Sequence, residues 1–119
     1  MSQSLYERLG GTDGITSIAG DLVDSHLANP AIAVRFAESD VPKMKNAAAT
    51  FFIAGTGGPN VYKGKDMLSV HKGMNISAAE FMAVLEDVVE ALEKNKIGQR
   101  EQEEVLFTFF SMRSQVLSV

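Results

Sequence analysis

The sequence predicts an all-α fold in a single domain spanning residues 1–119. Three observations carry that prediction. Apolar residues recur at helical spacing in every long segment, with no period-2 alternation to suggest strands. Two Ser-x-x-Glu boxes, Ser4 with Glu7 and Ser77 with Glu80, mark helix starts. Glycine clusters, Gly10-Gly11 and Gly55 to Gly64, separate periodic segments.

The elements follow in order. Ser4 opens a short helix that Gly10 and Gly11 end. Thr12 is placed to cap the second helix, in which Ile15, Ile18, Ala19, Leu22 and Val23 share one face; Asn29-Pro30 stops it. A helical turn is expected over 31–36. Ser39 or Asp40 caps the third main helix, with Pro42 tolerated in its first turn and Val41, Met44, Ala48, Phe51 and Phe52 as its apolar face. Ala47, Ala48 and Ala49 make that helix slim, leaving room for another helix or a flat ligand. The stretch from Gly55 to Lys65 reads as irregular. Asp66 is placed to cap a short helix carrying Met67, Val70 and His71, which Gly73 ends. Behind Ser77, a helix turns Phe81, Val84, Leu85, Val88 and Leu92 to one side, with Lys94 and Lys96 near its negative end. A last helix, from about Gln99 to Val116, faces inward with Val105, Phe109, Met112 and Val116. No internal repeat, low-complexity tract or linker interrupts the chain.

Composition narrows the function. The 119 residues carry 11 Lys and Arg against 15 Asp and Glu, a net charge of −4, which disfavours gripping a phosphate backbone. There is no cysteine, so disulfides, thiolate metal sites and cysteine nucleophiles are excluded. Two histidines, His26 and His71, leave few ways to build a multi-histidine metal centre. No apolar run follows a basic start, and no stretch approaches the roughly 18 apolar residues that span a bilayer. The expectation is a soluble cytoplasmic protein, monomeric or weakly dimeric, that binds neither nucleic acid nor membrane.

His71 is the residue that asks for an explanation. It shares a helical face with Met67, four residues before it, so its imidazole sits beside a thioether. Taken alone, that describes a core histidine with a hydrogen-bonded ring. An acidic helical bundle with one prominent histidine also suggests a phosphotransfer domain without cofactor. That reading needs an exposed histidine in mid-helix, and Gly73 ends this helix almost at once. Either account leaves unexplained the run Gly57-Gly58-Pro59, then Tyr62-x-Gly64-x-x-Met67, then three residues and His71.

That run resembles the truncated haemoglobins, the two-over-two globins, specifically their first group. The opening Leu5-Tyr6-Glu7-Arg8-Leu9-Gly10-Gly11 and the segment Leu27-Ala28-Asn29-Pro30 are similar to the family's first and second helices. Phe36 falls at the place of its haem-stacking phenylalanine. The resemblance implies a two-over-two helical sandwich around haem b, with His71 as the axial iron ligand. It also implies reversible binding of O2, CO and NO, the oxygen binding and transport associated with globins, and a reductase as partner. The cofactor-binding set it implies is Phe36, Met44, Ala48, Phe52, Tyr62, Met67, His71, Ile76, Phe81 and Val84. A neutral imidazole is an ordinary haem ligand, which the surrounding pocket then tunes.

The sequence departs from the family above the iron. Family members place a tyrosine on the second helix and glutamine or another polar residue on the third, to donate hydrogen bonds to bound oxygen. The matching positions of the distal pocket here are Val23, Met44 and Ala48, none of which donates a strong hydrogen bond. Weak oxygen stabilisation follows. Met44 is read as apolar filler rather than a second iron ligand. His26, about one turn beyond Val23, is read as a surface or rim histidine. The family's cation against a haem propionate is replaced by Ala47, with Lys63 and Lys72 as weak substitutes.

Overall fold

The computed structural model describes residues 3–64 and 67–117. Among these residues six α-helices follow one another: α1 (Leu5–Arg8), α2 (Gly11–Ala28), α3 (Val41–Gly55), α4 (Met67–His71), α5 (Ala78–Lys94) and α6 (Gln99–Ser111). Turns of 3-10 helix at Ala33–Phe36 and Arg113–Gln115 bridge α2 to α3 and follow α6. The all-α expectation is met, with one isolated parallel bridge, Ile76 to Leu117, among the described residues. No helix among them is long and apolar enough to cross a membrane.

Local chemistry sets the helix starts. Both capping boxes form as read: Ser4 accepts from the Glu7 N–H while Glu7 returns to the Ser4 N–H, and Ser77 and Glu80 do the same. Of the two candidate caps for α3, Asp40 takes the role, accepting from the Lys43 N–H. The capping expectation for Asp66 lies outside the described residues. Thr12 does not cap α2. That helix starts two residues earlier, behind Gly10 at φ 100°, and the Thr12 hydroxyl instead sits 2.6 Å from the Tyr6 hydroxyl. The last helix is shorter than its pattern suggests. At Met112, φ −94° and ψ 2° break the helix, and Arg113 caps the Phe110 carbonyl with its guanidinium.

Two pairs of helices make two layers. α2 packs against α3, α5 against α6, and α2 meets α5 between the layers. The core is the seam where they meet: Ile15, Ile18, Ala19 and Leu22 from α2, Phe52 and Ile53 from α3, Val88, Ala91 and Leu92 from α5, and Val105 from α6. Each buried Leu, Ile or Phe contributes about 1.5–3 kcal/mol by leaving water. α1 ties the layers at one end. Its Tyr6 N–H donates to the Thr56 carbonyl at the end of α3, and its Arg8 guanidinium grips Glu101 at 3.1 Å and Glu104 at 2.8 Å on α6.

The glycines of the two clusters serve two needs. Gly10, Gly11 and Gly57 take positive φ, which side chains resist. Gly58 is there for closeness: a Cβ on it would stand 2.4 Å from the Tyr6 ring and 2.8 Å from the Ile53 carbonyl. Gly14, inside α2, is just as confined, since its Cβ would meet the Leu9 carbonyl oxygen at 2.3 Å. Gly14→Ala is therefore expected to destabilise. The clash is with backbone, so the overpacking penalty of about 1–3 kcal/mol outweighs the ~1 kcal/mol that alanine gains in helix propensity. Urea unfolding of the variant checks this; unchanged or greater stability would show that the α1–α2 corner yields freely.

Candidate functional site

The apolar cleft that holds His71 lies between the short helix α4, the 33–36 turn and the start of α5. It encloses about 800 Å³ of space free of protein atoms, part of it continuous with solvent. Ile32, Phe36, Met67, His71, Ile76, Phe81 and Val84 line it, together with Phe109, Met112 and Val116 of the C-terminal segment. Nearly every lining group is apolar. A second cavity, between the end of α3 and α6, holds about 590 Å³ and shares Phe109 and Met112 as a common wall.

His71 is the last residue of α4 and is half-buried in the cleft. Its Nδ1 lies 2.8 Å from the Met67 carbonyl oxygen, one helical turn back. A carbonyl only accepts, so Nδ1 carries a proton, and in the neutral ring Nε2 holds the lone pair. Among the described residues no group of three or more His, Asp and Glu side chains is arranged to hold a metal ion. Any metal bound through His71 would arrive with most of its own ligands. A half-buried ring ending a five-residue helix and facing an apolar cleft also gives the phosphotransfer reading no support.

Arg35 and Glu80 close the cleft at its edge. Arg35 spans from the 33–36 turn to Glu80 of α5 with two guanidinium nitrogens, one of them 2.9 Å from Glu80 Oε1. Its third nitrogen donates to the Met74 carbonyl at 3.2 Å, three residues beyond His71. One guanidinium thus joins the two sides of the cleft. The Arg35 hydrogen bonds, followed by the Ser77 N–H, hold the Glu80 carboxyl down to about 2. A carboxyl depressed in the folded state contributes stability above its unfolded pKa, about 4.3, and loses it as pH falls toward about 2. Glu80→Gln is accordingly expected to melt below wild type at pH 7, with the gap narrowing steadily between about pH 5 and pH 2. A gap independent of pH would deny the pair its role.

Six expected cofactor contacts converge on the cleft: Phe36, Met67, His71, Ile76, Phe81 and Val84. The other four lie elsewhere. Phe52 is buried in the core, 5.3 Å from the Phe109 ring, and lines the second cavity. Tyr62 packs edge-on against Phe51 at 5.3 Å. Met44 and Ala48 are half-buried on α3, and Ala48 packs against the core. Val23, the third distal candidate, is buried on α2. None of these five lines the cleft. His26 overturns its reading as a surface or rim histidine: it is 9% exposed, and its Nδ1 sits 2.7 Å from an Asp87 carboxylate oxygen. Lys45 is engaged by Asp24 at 3.0 Å, and Lys63 and Lys72 are exposed; among the described residues the arginine or lysine lining the cleft is Arg35, paired with Glu80. Sequence reasoning passed over Ile32, Arg35, Met74 and Glu80. The adjacency of Arg35 to Phe36 was the one available signal.

A family model described as bacterial-like globin matches residues 4–118. The group 1 truncated haemoglobin of Tetrahymena pyriformis is 32% identical over 92 residues, 77% of this chain and 76% of that protein. The crystal structure of a truncated haemoglobin from the same organism, in its Fe(III) form, superposes with a TM-score of 0.94 at 27% identity, covering 98% of this chain and 100% of that one. The 2/2 haemoglobin of Synechococcus sp. PCC 7002, in its cyanomet state with covalently attached haem, superposes at 0.89 with 25% identity, over 97% and 98% of the two chains.

Proposed function

The chain belongs to the bacterial-like globins, among the group 1 truncated haemoglobins, and on that premise we propose that it holds haem b through His71 and binds diatomic gases at the iron. One observation carries the reading: a histidine whose Nδ1 is committed to the Met67 carbonyl and whose Nε2 is free, set in the wall of an apolar cleft. The residues present fit the group. Phe36, Ile76, Phe81 and Val84 offer apolar surface to a flat macrocycle, and the paired Arg35 and Glu80 are the charged groups among the described lining residues. When bound, haem supplies a ferrous iron that takes O2, CO or NO.

The remaining chemistry belongs to the chain. The Met67 carbonyl orients His71 and keeps it in the Nε2-ligating tautomer. A neutral carbonyl withdraws little of the ring proton, so the imidazole donates to iron more weakly than one paired with a carboxylate. That favours reversible ligand binding over O–O cleavage, which a more strongly electron-donating axial ligand promotes. No residue of α2 or α3 lines the cleft, and Val23, Met44 and Ala48, at the family's distal positions, carry no strong hydrogen-bond donor. We take oxygen to be weakly held and CO to be less affected, because CO carries less charge when bound.

The test is the absorption spectrum of the full chain reconstituted with haem, in ferric, ferrous and CO-bound forms. An intense Soret band at one haem per chain, with a five-coordinate ferrous form, is the expected result. Failure to take up haem stoichiometrically would sink the reading. A low-spin six-coordinate ferrous form would instead reveal an internal second ligand, with Met44 the first suspect.

A further inference from the structure

A buried polar cluster stands behind the Phe36 wall of the cleft. Its centre is the Asp87 carboxylate on α5, 5% exposed. Burying a carboxylate is costly unless its oxygens are satisfied. Here His26 Nδ1 donates at 2.7 Å, and Asn29 Nδ2 lies 3.2 and 3.3 Å from the two oxygens. Asn29 follows α2 directly and also accepts from the Ala31 N–H at 3.0 Å, turning the chain toward the 33–36 segment. The same histidine ring lies parallel to Phe36, with centroids 5.6 Å apart and planes within 5°. Phe36 in turn lines the cleft. One carboxylate on α5 therefore fixes the end of α2, the turn after it, and the plane of the ring against which a cleft wall is stacked.

We propose that His26, Asp87 and Asn29 are positioning residues for the cleft: they lock the Phe36 ring, and through it the seat of the cofactor, without touching the cofactor themselves. The functional half of this rests on the haem reading; the geometric half does not. Stability alone does not require such a cluster, since buried polar pairs replaced on both sides by apolar groups of similar volume often cost nothing. What an apolar pair lacks is direction. A hydrogen bond fixes the plane of an imidazole, whereas apolar packing leaves a ring more than one orientation.

The double variant His26→Phe with Asp87→Leu separates positioning from mere support. Each single change leaves a buried polar partner stranded and should lower the melting temperature; the double change should recover most of that loss. A purely structural role predicts that the cleft recovers with it. Positioning predicts that it does not: in the unloaded protein the Phe36 ring resonances split or broaden where wild type gives one sharp set. In the haem-loaded protein the single C–O stretching band of bound CO becomes two or more, and haem loss accelerates several-fold. One sharp Phe36 set and one CO band in a stable double variant would overturn the proposal.

Should the double variant not fold, two single changes decide. Asp87→Asn keeps an acceptor oxygen for His26 and should retain the wild-type Phe36 signals, while His26→Phe keeps a ring but no donor and should lose them. The opposite pattern overturns the proposal. If wild type takes up no haem, the cofactor reading fails by itself, and the Phe36 resonances of the unloaded protein still judge the lock.

Discussion

Replacing His71 with alanine is expected to abolish stoichiometric haem retention under conditions where the wild-type protein stays loaded. Disturbing even an outer-shell partner of a metal ligand typically costs about 10–100-fold in affinity, so removing the ligand itself should cost more than about 100-fold. The cleft keeps its apolar walls in the variant, because His71 ends a five-residue helix and is only half-buried. Folding should therefore survive, which a circular dichroism melt would verify. Free imidazole added to the variant should restore part of the Soret band by filling the vacated place. A variant that binds haem as tightly as wild type, with an unshifted spectrum, would show that another group ligates the iron.

Giving the α2–α3 side a hydrogen-bond donor should slow oxygen release. A hydrogen bond to a charged group is worth about 1.5–3 kcal/mol, or about ten- to a hundredfold in the off-rate. Val23→Tyr offers the full effect but inserts a large ring at a position only 3% exposed. Overpacking of that kind costs about 1–3 kcal/mol of stability, comparable to what the donor contributes to the ligand. Met44→Gln avoids the conflict, since Met44 is half-buried and glutamine is close to methionine in shape. Stopped-flow oxygen dissociation on both variants checks the prediction, with CO dissociation as the less sensitive control. Off-rates unchanged in both would mean that the bound gas does not face Val23 and Met44 at all.

Much of this architecture is legible in the sequence because its signals are local. The capping boxes at Ser4 and Ser77 need only four residues each. The faces of α2 and α5 are read from spacing, and His71 stands out through a run of fifteen residues. What stayed hidden depends on pairs far apart in sequence. His26 looks like a rim residue until Asp87, 61 positions away, is folded against it. Arg35 looks like a solvated cation until Glu80, 45 positions on, and the Met74 carbonyl take up its three nitrogens. Periodicity measures which face of a helix is apolar. It does not report which polar group will find a partner on another element. The overestimate of α6 has the same origin: Met112 and Val116 keep the apolar pattern going, and the pattern does not register that the backbone turns at Met112.

The Arg8 contact with α6 has a kinetic meaning. It joins residues 93 and 96 positions apart, so it closes only after the intervening chain has been brought together. We expect an interaction of such long range to be largely missing from the folding transition state. Contacts of that kind slow unfolding and leave the folding rate alone. Arg8→Met should steepen nothing in the refolding limb of a chevron plot and raise the unfolding limb. The clasp between the first helix and the last then acts as a timer, lengthening how long a chain, once assembled, stays assembled.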